Sequence, residues 1–301
     1  MKSDKSFTFG KAVLFNDDCL DWLAKQSDNS IHAIVTDPPY GLQEYTPEEV
    51  SKLRKGKGGI WRLPPKIDGC LRSPIPRFSI LNQKQLDELS EFFYEWGKAV
   101  LPKLVPGANV VMASNPLLSY IVSTSLAKAK LERRGEIIRL TMTMRGGDRP
   151  KNAEKEFPDV CVMPRSQWEP WLLFRKPLEP KTRIQDNLRK WKVGGFRRID
   201  DDHPFGDVIK SSPTHKLEKK LSSHPSLKPQ SFLRQIVRAV LPLGEGCVVD
   251  TFAGSGSTLA AAEAIGYESK GVEKDETYFK SACKSIPKLA AFQVGDKANI
   301  A

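Results

Sequence analysis

Two consecutive prolines, Pro38 and Pro39, follow the apolar run 31–35 with only Thr36 and Asp37 between. Proline has no N–H to give to a neighbouring strand, so a hydrogen-bonded ladder stops there. The residue before a proline is kept out of the helical region, which fixes Asp37 in an extended or turn conformation at the strand end. A carboxylate, the Pro38 carbonyl and the Tyr40 ring are therefore presented together at the C-terminal edge of a strand. In open α/β sheets that edge is where ligands bind.

The rest of the chain supplies the sheet. Short apolar runs predict strands at 11–15, 31–36, 108–113, 136–144, 171–174, 246–251 and 269–272. Helical spacing of apolar residues predicts helices at 19–25, 83–100, 117–130, 232–241 and 258–265. Strands alternating with helices point to an α/β fold, a doubly wound and mostly parallel sheet. We expect a single domain over 1–301.

Two stretches break the pattern, 43–82 and 178–223, and both read as irregular inserts. Positive charge concentrates in them. Within 51–80, Lys52, Arg54, Lys55, Lys57, Arg62, Lys66, Arg72 and Arg77 face only Asp68. Within 181–198, Lys181, Arg183, Arg189, Lys190, Lys192, Arg197 and Arg198 face only Asp186. The net charge is +11, so a polyanionic partner fits better than an acidic-surface role. Arg54, Lys55, Lys57, Arg62, Arg189, Lys190, Lys192, Arg197 and Arg198 are the candidates to reach phosphates, and Arg197 and Arg198 could also read guanine edges. Trp61 and Trp191 could fill the gap left by a displaced base, with core packing the competing role.

A second strand end carries a different signature. The run 248–251 leads through Phe252-Ala253-Gly254-Ser255-Gly256-Ser257-Thr258 into an alanine-rich helix. Glycines allow close backbone approach and positive φ, and the helix N-terminus offers donors. Glu273, closing the next strand about twenty residues on, is placed to accept ribose hydroxyls. The five cysteines are scattered without a Cys-x-x-Cys and the four histidines lack metal spacing, so neither a disulfide framework nor a metal site is expected. No apolar run is long enough for a membrane span, and a cytoplasmic protein is the default.

Asp37-Pro38-Pro39-Tyr40 together with Phe252–Thr258 resembles the S-adenosylmethionine-dependent amino-methyltransferases of DNA. Because the Asp37 motif comes first in the chain, the order resembles the permuted β class of that family. His224-Pro225-Ser226-Leu227-Lys228-Pro229 resembles a further motif lying beside the cofactor, and Asp17-Asp18-Cys19 the segment that meets the adenine. The resemblance covers nearly all of 11–290.

What the resemblance implies is a Rossmann-like, permuted methyltransferase fold with Asp37, Pro38, Pro39 and Tyr40 as the catalytic set. Phe252, Ala253, Gly254, Ser255, Gly256 and Thr258 would line the methionine part of S-adenosyl-L-methionine. Glu273 would bind its ribose, and Asp18 with Cys19 its adenine. Asp250 would orient the sulfonium side or the turn, and Lys228 would pair with the cofactor carboxylate. An Asp in the first motif position more often marks adenine N6, so the expected enzyme is a site-specific DNA adenine-N6 methyltransferase acting on a flipped base in double-stranded DNA. Cytosine N4 is the alternative, and a catalytically silent DNA-binding subunit is the alternative of another class. The insert 178–223 is expected to recognise the target, and 43–82 to act as a clamp or dimer contact. The family further implies a homodimer in the bacterial cytoplasm, associated with the nucleoid through DNA.

Overall fold

A computed structural model of the chain describes residues 5–40, 81–141, 146–222, 224 and 226–294, with backbone alone at 66–67 and 70–71. Its strands are Lys5–Phe9 (β1), Ala12–Asn16 (β2), Ile31–Thr36 (β3), Lys66–Ile67 (β4), Cys70–Leu71 (β5), Leu104–Ala113 (β6), Glu132–Leu140 (β7), Trp168–Arg175 (β8), Val208–Lys210 (β9), Cys247–Asp250 (β10) and Glu268–Val272 (β11). Its helices are Cys19–Ala24 (α1), Gln83–Lys103 (α2), Ser119–Lys128 (α3), Ile184–Trp191 (α4), Lys216–Leu221 (α5), Gln230–Val240 (α6), Ser257–Ala264 (α7) and Glu276–Ala290 (α8). Nine of the strands form one sheet in the order β1-β2-β11-β10-β3-β6-β8-β7-β9, and β4 pairs with β5 alone. The run from β2 through β6 in that order is parallel throughout. β8 lies antiparallel between β6 and β7, and β1 closes the other edge antiparallel to β2. The expected doubly wound, mostly parallel sheet is what the chain forms.

Strands β3 and β6 read as continuous apolar runs because both faces are covered. Helix α2 is set by a capping box, in which Asn82 accepts from the Gln85 N–H and Gln85 accepts from the Asn82 N–H. Its Leu89, Phe93, Trp96 and Val100 recur at helical spacing and are buried in the main core. At the opposite end of the chain α7 is almost wholly buried, which small alanines permit. No helix among the described residues is long and apolar enough to cross a membrane.

Several elements differ from the expectation. The strand expected at 136–144 begins four residues earlier, because Arg133 and Arg134 hide the pattern and Gly135, at φ +126°, carries a register shift. The stretch 178–223 is not irregular throughout. It contains α4, strand β9 parallel to β7, and α5. The edge strand β1 and the C-terminal helix α8 have no counterpart among the elements read from sequence. The stretch 43–82, with Arg54, Lys55, Lys57, Arg62 and Trp61, lies outside the described residues except for β4, β5 and its last two positions.

Candidate active site

The chain leaves β3 toward β6 on one side and reaches β10 and β11 on the other, so the sheet order reverses between β3 and β10. A crevice opens outside the carboxyl ends of strands at such a point. Thr36 at the end of β3 donates to Asp250 Oδ1 at the end of β10 (2.7 Å), tying the two strand ends across 214 residues of sequence. Above them is a cavity of ≈ 840 Å³, lined by Asp37, Pro39 and Lys228 together with His224, Asp250–Ser255, Glu273 and Asp18–Cys19. Asp37 and Gly254 share that cavity.

Its glycine-turn wall is shaped by backbone. Gly254 adopts φ +48°, and a Cβ there would lie 3.0 Å from His224 Nε2. The Gly254 N–H donates to Glu273 Oε2 (2.8 Å) and the Asp275 N–H to Glu273 Oε1 (2.7 Å), which fixes the carboxylate at the cavity wall. Burial raises the Glu273 carboxyl against these two donors. Gly256, at φ +76°, does not line the cavity: its open face meets Ile286 of α8, so a side chain there would push that helix away. Phe252, Ala253, Ser255 and Thr258 do line it, and the Phe252 ring lies 6.1 Å from that of Phe92. Asp18 caps α1 and pairs with Lys274 (2.9 Å). Burial pushes the Cys19 thiol up to about 12, which makes it a wall and not a nucleophile.

Asp250 is buried and accepts hydrogen bonds from Thr36 and the Phe252 N–H (3.1 Å), with no cation paired to it among the described residues. Burial pushes its carboxyl to about 6. Asp37, one strand over, has a different setting. Lys228 Nζ lies 3.0 Å from Asp37 Oδ2 and 2.8 Å from Glu169 Oε1. The Tyr40 hydroxyl is 3.2 Å from Asp37 Oδ1 and 2.9 Å from Glu169 Oε1. Arg139 Nη1 donates to Glu169 Oε2 at 2.9 Å. Two carboxylates and two cations thus form one nearly dry cluster. Burial alone would raise the Glu169 carboxyl, but Lys228 and Arg139 overcome it and hold it at about 2. Burial raises the Asp37 carboxyl; Lys228 opposes and the Glu169 charge reinforces the rise. Burial disfavours the Lys228 charge, yet Asp37 and Glu169 together keep the ammonium above its ordinary range.

This arrangement departs from the sequence reading in three ways. Lys228 is paired with Asp37 and Glu169, so in this structure its ammonium belongs to the Asp37 cluster. Tyr40 has its hydroxyl in the same cluster and its ring 5.7 Å from Lys228 Nζ. Glu169 and Arg139 were missed. The signal was available: an acid between Trp168 and Trp171, and an arginine after two isoleucines, each a charge set in an apolar stretch of sequence.

The basic residues of α4 and its flank are elsewhere. Asn187 donates to the Pro106 carbonyl (2.9 Å), near the start of β6, whereas the cavity lies beyond the strand's other end. Seven residues of strand separate Pro106 from Ala113, roughly 20 Å. Arg197 donates to Tyr267 Oη (2.8 Å), just before β11, again at the sheet's amino edge. Arg189 pairs with Asp186, Lys190 with Glu179, Lys192 approaches Glu245 at 4.0 Å, and Arg198 donates to the Asp200 and Asp201 carbonyls. Trp191 packs against the main core. The structure therefore does not bring these five basic residues together with Asp37. Only the later part of the stretch returns to the cavity edge, where Arg139 Nη2 donates to the Ser212 carbonyl (3.0 Å) ahead of Lys228.

Known proteins share this architecture. A solved PvuII DNA methyltransferase, described as cytosine-N4-specific, superposes with a TM-score of 0.60 at 16% identity, covering 96% of this chain and 94% of that one. The putative DNA modification methylase TTHA0409 from Thermus thermophilus, solved in complex with S-adenosyl-L-methionine, gives 0.55 at 19% identity, covering 94% and 95%. In sequence, the type II methyltransferase M.HindIII of Haemophilus influenzae is 26% identical over 297 residues, 91% of this chain and 94% of the relative. M2.DpnII of Streptococcus pneumoniae is 26% identical over 276 residues, 92% and 90%. The N6/N4 DNA methylase family model matches residues 31–284, from the first residue of β3 into α8 and so across both walls of the cavity. The chain belongs to the N6/N4 DNA methylase family.

Proposed function

We propose that this DNA methylase is a site-specific adenine-N6 methyltransferase that uses S-adenosyl-L-methionine and acts on a base flipped out of duplex DNA. The observation that carries the reading is Asp37, largely buried in the lining of a cavity that it shares with the Gly254 turn braced by Glu273. The cofactor fits that turn: backbone comes close where a Cβ would crowd His224, and a carboxylate is held by two N–H donors where a ribose needs an acceptor. Glu273 would take the ribose, Asp18 and Cys19 the adenine, and Phe252 to Ser255 the methionine moiety. The bound cofactor supplies a methyl group already activated on a sulfonium.

The remaining work falls to this chain. The lone pair of an exocyclic amine is delocalised into its ring. Asp37 accepts one N–H and the Pro38 carbonyl the other, turning the nitrogen toward tetrahedral geometry and freeing the pair to attack. As the nitrogen–carbon bond forms at the expense of the methyl group's bond to sulfur, which would leave as a neutral thioether, positive charge grows on nitrogen beside the Asp37 carboxylate, and the nitrogen then sheds one proton. A carboxyl raised by burial is suited to receive it. A base inside a duplex cannot reach this depth, which is why the reading includes flipping.

Adenine is favoured by Asp in the first position of the motif, and site specificity by the type II relatives. Cytosine N4 is the second reading, favoured by the cytosine-N4-specific structural neighbour. Incubating the protein with methyl-labelled cofactor and duplex DNA, then digesting to nucleosides, decides between them. Label in N6-methyldeoxyadenosine supports the proposal, label in N4-methyldeoxycytidine replaces it with the second reading, and no label in DNA removes both.

A further inference from the structure

Of the four charged groups around the Asp37 motif, two come from strands that the sequence motifs do not reach. Glu169 lies on β8 and Arg139 on β7, the antiparallel side of the sheet. Their side chains are only 11% and 7% exposed. An isolated buried carboxylate is costly, and a buried pair loses more in desolvation than it gains unless its geometry is well satisfied. Here it is satisfied at every contact. Glu169 Oε2 faces Arg139, with the Trp171 indole N–H at 3.4 Å, and Glu169 Oε1 faces Lys228 and Tyr40. Arg139 is braced in turn by Ser211 Oγ (3.0 Å) and by the Ser212 carbonyl.

The consequence lies at Asp37. Lys228 has two carboxylates to bridge, and Glu169 is the better anchored of them. With Glu169 fixed, the ammonium is held 3.0 Å from Asp37 Oδ2 and is not free to swing into the cofactor half of the cavity. The same oxygen that holds Lys228 also lies within reach of Tyr40 Oη, which in turn reaches Asp37 Oδ1.

We propose that Glu169, anchored by Arg139, is a positioning residue for methyl transfer, holding Lys228 and Tyr40 against Asp37 so that its carboxylate is both oriented and charge-compensated. The groups facing Asp37 are Lys228 from the segment ahead of α6, Glu169 from β8, Tyr40 from its own turn, and Asp250 from β10; Arg139 acts one step removed. Their signs make a test. Removing the Glu169 charge removes a repulsion from Asp37, whereas removing Lys228 removes its attraction. In Glu169→Gln the amide cannot accept from Arg139, Lys228 and Tyr40 together, so the positions loosen while the repulsion goes.

The inference rests on DNA methylation with Asp37 as acceptor, and its test separates the two. Single-turnover methyl transfer to duplex DNA is followed against pH at saturating cofactor, with cofactor affinity measured by calorimetry on the same samples. For E169Q the rate should fall roughly ten- to hundredfold, with the acid limb moved down by about one pH unit and cofactor affinity within about twofold of wild type. For K228M the acid limb should move up instead. If E169Q does not fold, the charge-balanced R139Q/E169Q reads the same limb. Acid limbs that stay put in E169Q or the double variant, or that move the same way in E169Q and K228M, overturn the inference. A wild-type protein that transfers no methyl group to DNA overturns the function itself.

Discussion

Asp37 and Asp250 lie at the ends of neighbouring strands, line one cavity, and are both raised by burial, yet they are satisfied by different means. Asp250 is held by neutral donors, the Thr36 hydroxyl and the Phe252 N–H. Asp37 is held by a cation that is itself held by a second carboxylate, which a second cation anchors in turn. Neutral donors suit a group that fixes backbone, because they lose little when it protonates. A compensated charge suits a group that must present an anion to a substrate and tolerate a proton afterwards. On the proposed function, this contrast assigns chemistry to the Asp37 strand end and leaves Asp250 to brace the cleft.

Four experiments can break or sharpen that contrast. The largest effect is expected for Asp37→Ala, which should lower single-turnover methyl transfer roughly a thousandfold while calorimetry finds cofactor binding little changed. In the wild type, Asp37 must be ionised to accept an amine hydrogen. Its carboxyl is raised, so the rate should fall tenfold per unit as pH drops through a value above that of an ordinary aspartate; a rate flat down to that ordinary value would place the essential charge elsewhere. For Asp250 the readout is affinity. An ionised Asp250 favours a cationic ligand, so cofactor affinity should weaken as pH falls through about 6, and Asp250→Asn should show about tenfold weaker binding with no such step. The smallest effect is expected from R189E/K192E at the amino edge of the sheet. The dependence of DNA binding on salt should be the same as in wild type, and a shallower slope would mean that this edge meets phosphate after all.

How much of this was legible in the sequence follows from which forces were local. Strand ends at Pro38 and at the Gly254 turn are dictated by backbone chemistry a few residues long, and both were read correctly as elements of one parallel sheet. The site of Lys228 was not, because its partner is chosen by Glu169, which reaches it from 59 residues away. The basic run 181–198 lies apart from Asp37 for a related reason. Charge density in sequence says nothing about which edge of a sheet a segment occupies, and Asn187, anchored on Pro106 and Val193, carries this one to the amino edge. Gly256 looked like part of a ligand cradle, yet its open face is filled by Ile286. Strand β7 was displaced in the reading because two arginines and a bulge at Gly135 interrupt the alternation that marks a strand.

Activation of an exocyclic amine of DNA by Asp37, for attack on the methyl group that the cofactor supplies, is the step on which the proposed function turns. It is tested most directly by mass spectrometry of nucleosides from the genomic DNA of a methylation-deficient host expressing either the wild-type chain or Asp37→Ala. N6-methyldeoxyadenosine is expected in the first and none above background in the second. Equal amounts of a methylated amine in both would contradict it.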